Sequence, residues 1–231
     1  MTQEAREGSF RTGLIGVFIV LGFQCLVAIW FYPSSSHQFN TNSVLHSIIF
    51  RWSEVVFIFL FIKVAEKLPL SSIKLVALRF GDFLWGFVGF LVGLIFLAGA
   101  GAIAEKFHLQ YDTHYRSLLL SLPIGWRFAT VFTAGVTEEI IFRGYLLERI
   151  AKLTHRLWIG VVLSSIVFMA LHIPFWGKFA PIGIGAWTAV VIGLYLWKKS
   201  LYPCIIMHVL NDVFILVIVP YLASLYGINP K

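Results

Sequence analysis

Charged residues are scarce in this chain: Asp, Glu, Lys and Arg make up 13% of its 231 residues, whereas about a quarter is usual in soluble domains. Hydrophobic residues reach 59%, and the mean hydropathy is +0.86. This balance excludes an ordinary soluble domain and a disordered chain.

Cysteine is almost absent as well. Cys25 and Cys204 lie in apolar runs without a CxxC motif or a Cys/His cluster nearby, so we interpret both as small buried hydrophobes.

Long polar connections are also missing. The two longest, 63–82 and 105–125, leave no room for a soluble catalytic domain, so any chemistry must take place within the apolar part of the chain. A helix needs about 20 mostly apolar residues to cross a bilayer. The sequence therefore predicts an all-α fold, a polytopic transmembrane helix bundle that forms a single domain over residues 1–231. The predicted spans number about seven, at 13–32, 44–62, 83–104, 126–147, 157–172, 181–197 and 201–222.

Two local patterns stand out in the second and third spans. Arg51 and Glu54 are three positions apart on one helix and can neutralise each other, which favours a structural ion pair, with Glu54 as a candidate cavity-lining residue. Gly86, Gly89 and Gly93 recur at intervals of three and four residues. Small residues at this spacing let helices approach closely, so we predict a packing face here.

The basic residues lie at the ends of apolar runs and form no stripe with interleaved aromatics, so no nucleic-acid partner is expected. Cytoplasmic segments of membrane proteins carry an excess of Lys and Arg. We therefore predict a cytoplasmic N-terminus, with segment 71–80 as an interfacial helix on that side. The size of the chain and the absence of targeting signals indicate a bacterial inner membrane. This orientation places eleven basic residues in the cytoplasm: Arg6, Arg11, Lys63, Lys67, Lys74, Arg79, Arg149, Lys152, Arg156, Lys198 and Lys199. Five lie on the other side: Lys106, Arg116, Arg127, Lys178 and Lys231.

Three charges interrupt the fourth predicted span, at Glu138, Glu139 and Arg143. Each ionisable group near the bilayer centre costs roughly 2.5–3.5 kcal/mol on insertion scales, so the three must be compensated by pairing, water or function. Glu139 and Arg143 share a helical face at i,i+4 and can pair. Glu138 lies about 100° around the helix from that pair. Two adjacent acids in different surroundings can differ in proton affinity, which makes Glu138 the candidate general base.

Two histidines in other spans add to this set. His172 ends the fifth span, and His208 lies in the seventh, where Asn211 and Asp212 follow on the same helical face. Histidine inside a membrane usually faces the bundle interior. A lone buried histidine or a single Glu–Arg pair is more often structural. Packing gains nothing from collecting all these polar groups in three apolar helices, so their combination favours a functional site.

Several enzyme classes are not supported by the sequence. No GxSxG turn surrounds Ser164 and Ser165, no HExxH pair is present, and no GxGD signature lies within a span. A carboxylate with histidine helpers and no nucleophile favours activation of water for attack on an amide. Zinc held by Glu138, His172 and His208 is a lower-ranked alternative. We therefore expect no cofactor and no metal.

The same residues resemble three motifs of the CAAX-protease and bacteriocin-processing (Abi) family of glutamic-type intramembrane endopeptidases. EExxxR matches 138–143, FxxxH matches 168–172 and HxxxN/D matches 208–212. Together they fall in the motif-bearing catalytic half, 126–222. The resemblance implies that Glu138 is the catalytic base, that Glu139 and Arg143 support it, and that His172 positions the water.

At the third motif the resemblance implies an oxyanion site formed by His208 and the residue four positions later. That residue is Asp212 here, whereas the eukaryotic prenyl endopeptidases have Asn. Three alternatives follow: Asp212 is protonated, Asp212 orients His208, or Asn211 supplies the donor.

The leading hypothesis is an intramembrane endopeptidase that acts on a peptide or protein substrate at the lipid bilayer. The alternative is a non-catalytic immunity or scaffold protein of the same family, in which the polar cluster only holds helices together. A proton-coupled transporter is a third hypothesis, although the chain shows neither repeated halves nor paired broken helices.

Overall fold

The structure is a computed structural model that describes residues 3–31, 40–109 and 113–227, and in these ranges it is all-helical. Six long helices form the bundle: α1 (Gln3–Phe31), α2 (Thr41–Val64), α3 (Phe80–Lys106), α5 (Ile124–Glu138), α7 (Leu157–Trp176) and α8 (Ala180–Lys198). Shorter ones are α4 (His114–Ser121), α6 (Leu147–Thr154), α9 (Tyr202–Val213) and α10 (Val219–Leu225). A wide π turn at Glu139–Leu146 joins α5 to α6, and another at Phe214–Ile218 joins α9 to α10.

Five segments of the described chain are long and apolar enough to cross a membrane, so the count of about seven spans is not confirmed. The continuous helix from α5 to α6 is not among them, because three charges lie at its centre. The helices α7 and α8 count as one segment although Gly177, at φ +65°, turns the chain between them. The five segments are Phe10–Val27, Thr41–Val64, Phe80–Lys106, Leu157–Lys198 and Tyr202–Leu225.

The glycine face of α3 packs closely against α9, as the spacing predicts. A methyl group added at Gly86 would lie 2.6 Å from Ile206 Cβ, and one at Gly93 would lie 2.9 Å from Met207 Cε. Real Cβ atoms essentially never approach so closely, and at Gly86 the neighbouring Ile206 Cβ cannot move aside without its backbone, so this close approach requires glycine there. The face is therefore an internal packing surface.

The interfacial helix predicted at 71–80 is wrong. Only Leu70–Ile73 is helical, as a single 3₁₀ turn, and no helix resumes before Phe80. Ile73 is fully buried in the core, and Lys74 takes a left-handed conformation at φ 59° that ends the turn. The Leu201 N–H then donates to the Lys74 carbonyl. The burial of Ile73 and this bond fix the start of the segment against the bundle, while residues 77–80 are exposed without forming a helix before Phe80.

Candidate active site

Glu139 lies at the centre of a buried polar cluster at the start of the π turn. Its Oε1 accepts hydrogen bonds from Arg143 Nη1 at 3.0 Å and from His208 Nδ1 at 2.8 Å. The Arg143 guanidinium lies 4.0 Å from the centroid of the Phe168 ring and contacts Thr188 at 3.4 Å. All of these groups are buried. The Glu139 carboxylate therefore ties the π turn to α9. The tether between Glu139 and Arg143 is the one that their i,i+4 spacing predicts.

Glu138 points away from that cluster and faces a cavity. Its Oε2 lies 3.8 Å from His172 Nε2, and its Oε1 lies 3.7 Å from Arg51 Nη2. His172 Nδ1 is 2.7 Å from the Phe168 carbonyl oxygen. Because a carbonyl only accepts, Nδ1 carries the proton, and a neutral ring then directs the lone pair of Nε2 towards Glu138. A carboxylate oxygen and an unprotonated imidazole nitrogen thus lie 3.8 Å apart, so that one water molecule to the side of the pair could hydrogen-bond to both.

Helix α9 contributes an imidazole and two Asx side chains to the site. His208 Nε2 lies 3.6 Å from Asp212 Oδ2. The Asn211 amide donates to Asp212 Oδ1 at 3.1 Å, and Asn211 Oδ1 is buried without a hydrogen-bond partner. A carboxylate beside Nε2 stabilises a positively charged imidazole. In that form His208 has two donors, one for Glu139 and one for the cavity.

These groups line one cavity of about 560 Å³, within the range of ordinary ligand pockets. Glu138, His172, His208, Asn211 and Asp212 all contribute to its wall. The remaining wall is mostly aromatic and aliphatic, and includes Tyr115, Leu119, Phe175, Trp176, Phe179 and Ile184. Such a cavity can hold an apolar ligand whose polar groups lie at its inner end.

The residues that the sequence analysis missed come from α1 and α2. Arg51 Nη1 donates to Gln24 Oε1 at 2.8 Å and lies 4.0 Å from Glu54, while Gln24 donates to Glu54 at 2.5 Å. Gln24 and Glu54 are fully buried, and Arg51 reaches Glu138 across the cavity wall. The spacing predicts an ion pair of Arg51 with Glu54 and a cavity-lining role for Glu54, whereas Arg51 and Gln24 line the cavity. A glutamine inside the first apolar run was the available signal for a larger network.

The zinc alternative can be compared with the positions of its three residues. They line the same cavity, and His208 Nδ1 is bound to Glu139, so only His208 Nε2, 3.6 Å from Asp212 Oδ2, is left to face the cavity. Among the residues that the structure describes, no group of three or more His, Cys, Asp or Glu side chains is arranged to hold a metal ion.

The comparisons with known proteins point to one family. A model described as "Type II CAAX prenyl endopeptidase Rce1-like" matches residues 120–214, a range that contains every motif residue of the cavity. No curated protein and no solved structure matches the chain. The match supports membership of this chain in the CAAX protease family.

Proposed function

We propose that this protein is an intramembrane endopeptidase in which Glu138 activates water to hydrolyse a peptide bond of a membrane-associated protein or peptide. The family is a protease family, and apolar helices dominate the chain. The observation that carries the mechanism is the pair formed by Glu138 and His172, whose facing atoms lie 3.8 Å apart in the cavity. A water molecule beside this pair would donate one hydrogen bond to Glu138 and one to His172 Nε2.

The reaction follows from that geometry. Glu138 takes one proton from the water, and the resulting hydroxide oxygen attacks the carbonyl carbon, while the O–H that remains on it donates a hydrogen bond to His172 Nε2. The negative charge on the carbonyl oxygen is met by the N–H of a protonated His208. When the C–N bond breaks, the proton held by Glu138 passes to the leaving amine. The products are a new carboxyl end and a new amino end.

The most direct test compares the membrane peptidome of cells that produce the wild-type protein with that of cells producing Glu138→Gln, by mass spectrometry. Peptides with new termini that depend on Glu138 would support proteolysis and would identify the cleavage site. Identical peptidomes from equal amounts of inserted protein would instead favour the non-catalytic scaffold. A synthetic peptide that spans the cleavage site then serves for kinetics.

Asp212 and Asn211 are expected to contribute unequally. Asp212 lies beside His208 Nε2, whereas the Asn211 amide is bound to Asp212 itself. Asp212→Ala should therefore lower kcat/KM by roughly 10²-fold, as does loss of an oxyanion donor, and Asn211→Ala should lower it much less. Peptide kinetics on the two variants measure this difference. Equal residual activity would contradict the assignment of Asp212 to His208.

Arg51 is expected to act as a positioning residue for Glu138. Arg51→Met removes the cation at 3.7 Å and should lower kcat by roughly 10–10²-fold with little change in KM, since misplaced catalytic groups cost rates of this size. Arg51→Lys keeps the charge and should recover part of kcat. Thermal unfolding in detergent checks that the variants are folded. An equal loss in both variants would mean that the charge has no role.

A further inference from the structure

Contacts between the connections gather them at two ends of the bundle: Glu66 and Ser72 bind Arg149, and the Lys74 carbonyl accepts from the Leu201 N–H. One end, here named the basic end, carries the connections 65–79, 155–156 and 199–201. The other, the opposite end, carries the start of α2, the end of α3, α4 and the turn between α7 and α8. These two ends correspond to the two faces of the membrane.

The two ends differ strongly in basic residues. Ten described side chains belong to the basic end: Arg11, Lys63, Lys67, Lys74, Arg79, Arg149, Lys152, Arg156, Lys198 and Lys199. Four belong to the opposite end: Lys106, Arg116, Arg127 and Lys178. Because Lys and Arg accumulate in cytoplasmic connections, the basic end is the cytoplasmic one.

The cavity reaches only one of these ends. On α2 its wall is formed within residues 43–51, in the first three turns, and on α7 within residues 168–176, in the last turns. Tyr115 of α4 and Phe179 of the turn after α7 complete the rim. From the basic end, no connecting residue of the described chain lines the cavity. Ser43, His46 and Ser47 form a polar track along α2 that leads down to Arg51.

We propose that the cavity opens to the extracytoplasmic side of the membrane, and that water reaches Glu138 from there along the polar track on α2. The opening lies at the end with few basic residues, and the sealed end is the one rich in them. If the proposed proteolysis holds, the substrates are then membrane-associated peptides whose cleavage site lies at or beyond the extracytoplasmic surface. The side of access itself does not depend on that reaction.

Cysteine labelling tests the side of access. The background is the full chain with Cys25 replaced by serine and Cys204 replaced by alanine. Ser47→Cys is introduced into this background. A membrane-impermeant thiol reagent is then applied to spheroplasts and to inside-out vesicles. Ser117→Cys on α4 reports the opposite end and Ser71→Cys reports the basic end, since both serines are exposed. A permeant thiol reagent shows that each cysteine is reactive.

We expect the impermeant reagent to label Ser47→Cys and Ser117→Cys in spheroplasts. It should label Ser71→Cys only in inside-out vesicles. Labelling of Ser47→Cys only in vesicles would overturn the proposal, and so would its failure to react with the impermeant reagent from either side. These outcomes need no substrate. A failure here is therefore distinct from a failure of the peptidome comparison.

Discussion

Glu138→Gln is expected to lower peptide hydrolysis by roughly 10²–10⁴-fold, the usual contribution of a general base. The amide keeps the size of the side chain, but it cannot take a proton from water. The contacts of Glu138 with Arg51 and His172 lie at 3.7 and 3.8 Å, so the change breaks no short hydrogen bond of the fold. Hydrolysis of the synthetic peptide by purified protein measures the effect, and thermal unfolding should be almost unchanged.

Glu148→Gln is the matched control. Glu148 lies on α6, in the same continuous helix but at the basic end, where it contacts Tyr195 and Lys74 and does not line the cavity. The same chemical change there should leave hydrolysis near the wild-type rate. Activity retained by Glu138→Gln, or an equal loss in both variants, would refute Glu138 as the base.

Arg143→Met should produce the largest loss of stability, about 3–5 kcal/mol, as expected when one partner of a buried ion pair is removed. Arg143 is 1% exposed, and the change leaves Glu139 buried in the cluster with only His208 as a partner for Oε1. The Phe168 ring also loses the guanidinium packed over it. Denaturant or thermal unfolding in detergent measures the change.

Two further variants separate charge from packing. Arg156→Met removes an exposed cation at the basic end and should change stability little. Arg143→Met combined with Glu139→Gln removes both charges, so it should recover part of the loss, because no unpaired carboxylate stays buried. If the double variant is less stable than Arg143→Met alone, the ion pair does not account for the effect.

The helical membrane architecture could be predicted from the sequence because it follows directly from the hydrophobic composition. The link between Glu139 and Arg143 could be predicted because that pair is local to one helix. The interfacial helix at 71–80 was wrong because Ile73 inserts into the core, and only the tertiary structure contains that contact. The count of about seven spans is not confirmed, because three charges lie in the continuous helix from α5 to α6 and because α7 and α8 form one candidate segment.

The parts of the site that sequence could not supply are contacts between distant positions. Glu139 meets His208 across 69 positions, and Arg51 meets Gln24 across 27. Hydrophobic patterning places Arg51 in a span but does not say which neighbour it faces. The histidines and carboxylates were assigned to the site because they match known motifs. Arg51 and Gln24 belong to no motif and were therefore not assigned to the site.

The contact between α3 and α9 gives the first half of the chain a part in the geometry of the site. Gly89 and Gly93 allow Met207 to lie against α3, and His208 is the next residue along the chain. The depth of that imidazole in the bilayer is thus set by a helix outside the range that resembles known proteases. Without the N-terminal helices, residues 120–214 would lack this packing surface. The N-terminal helices therefore position the site in addition to anchoring the chain in the membrane.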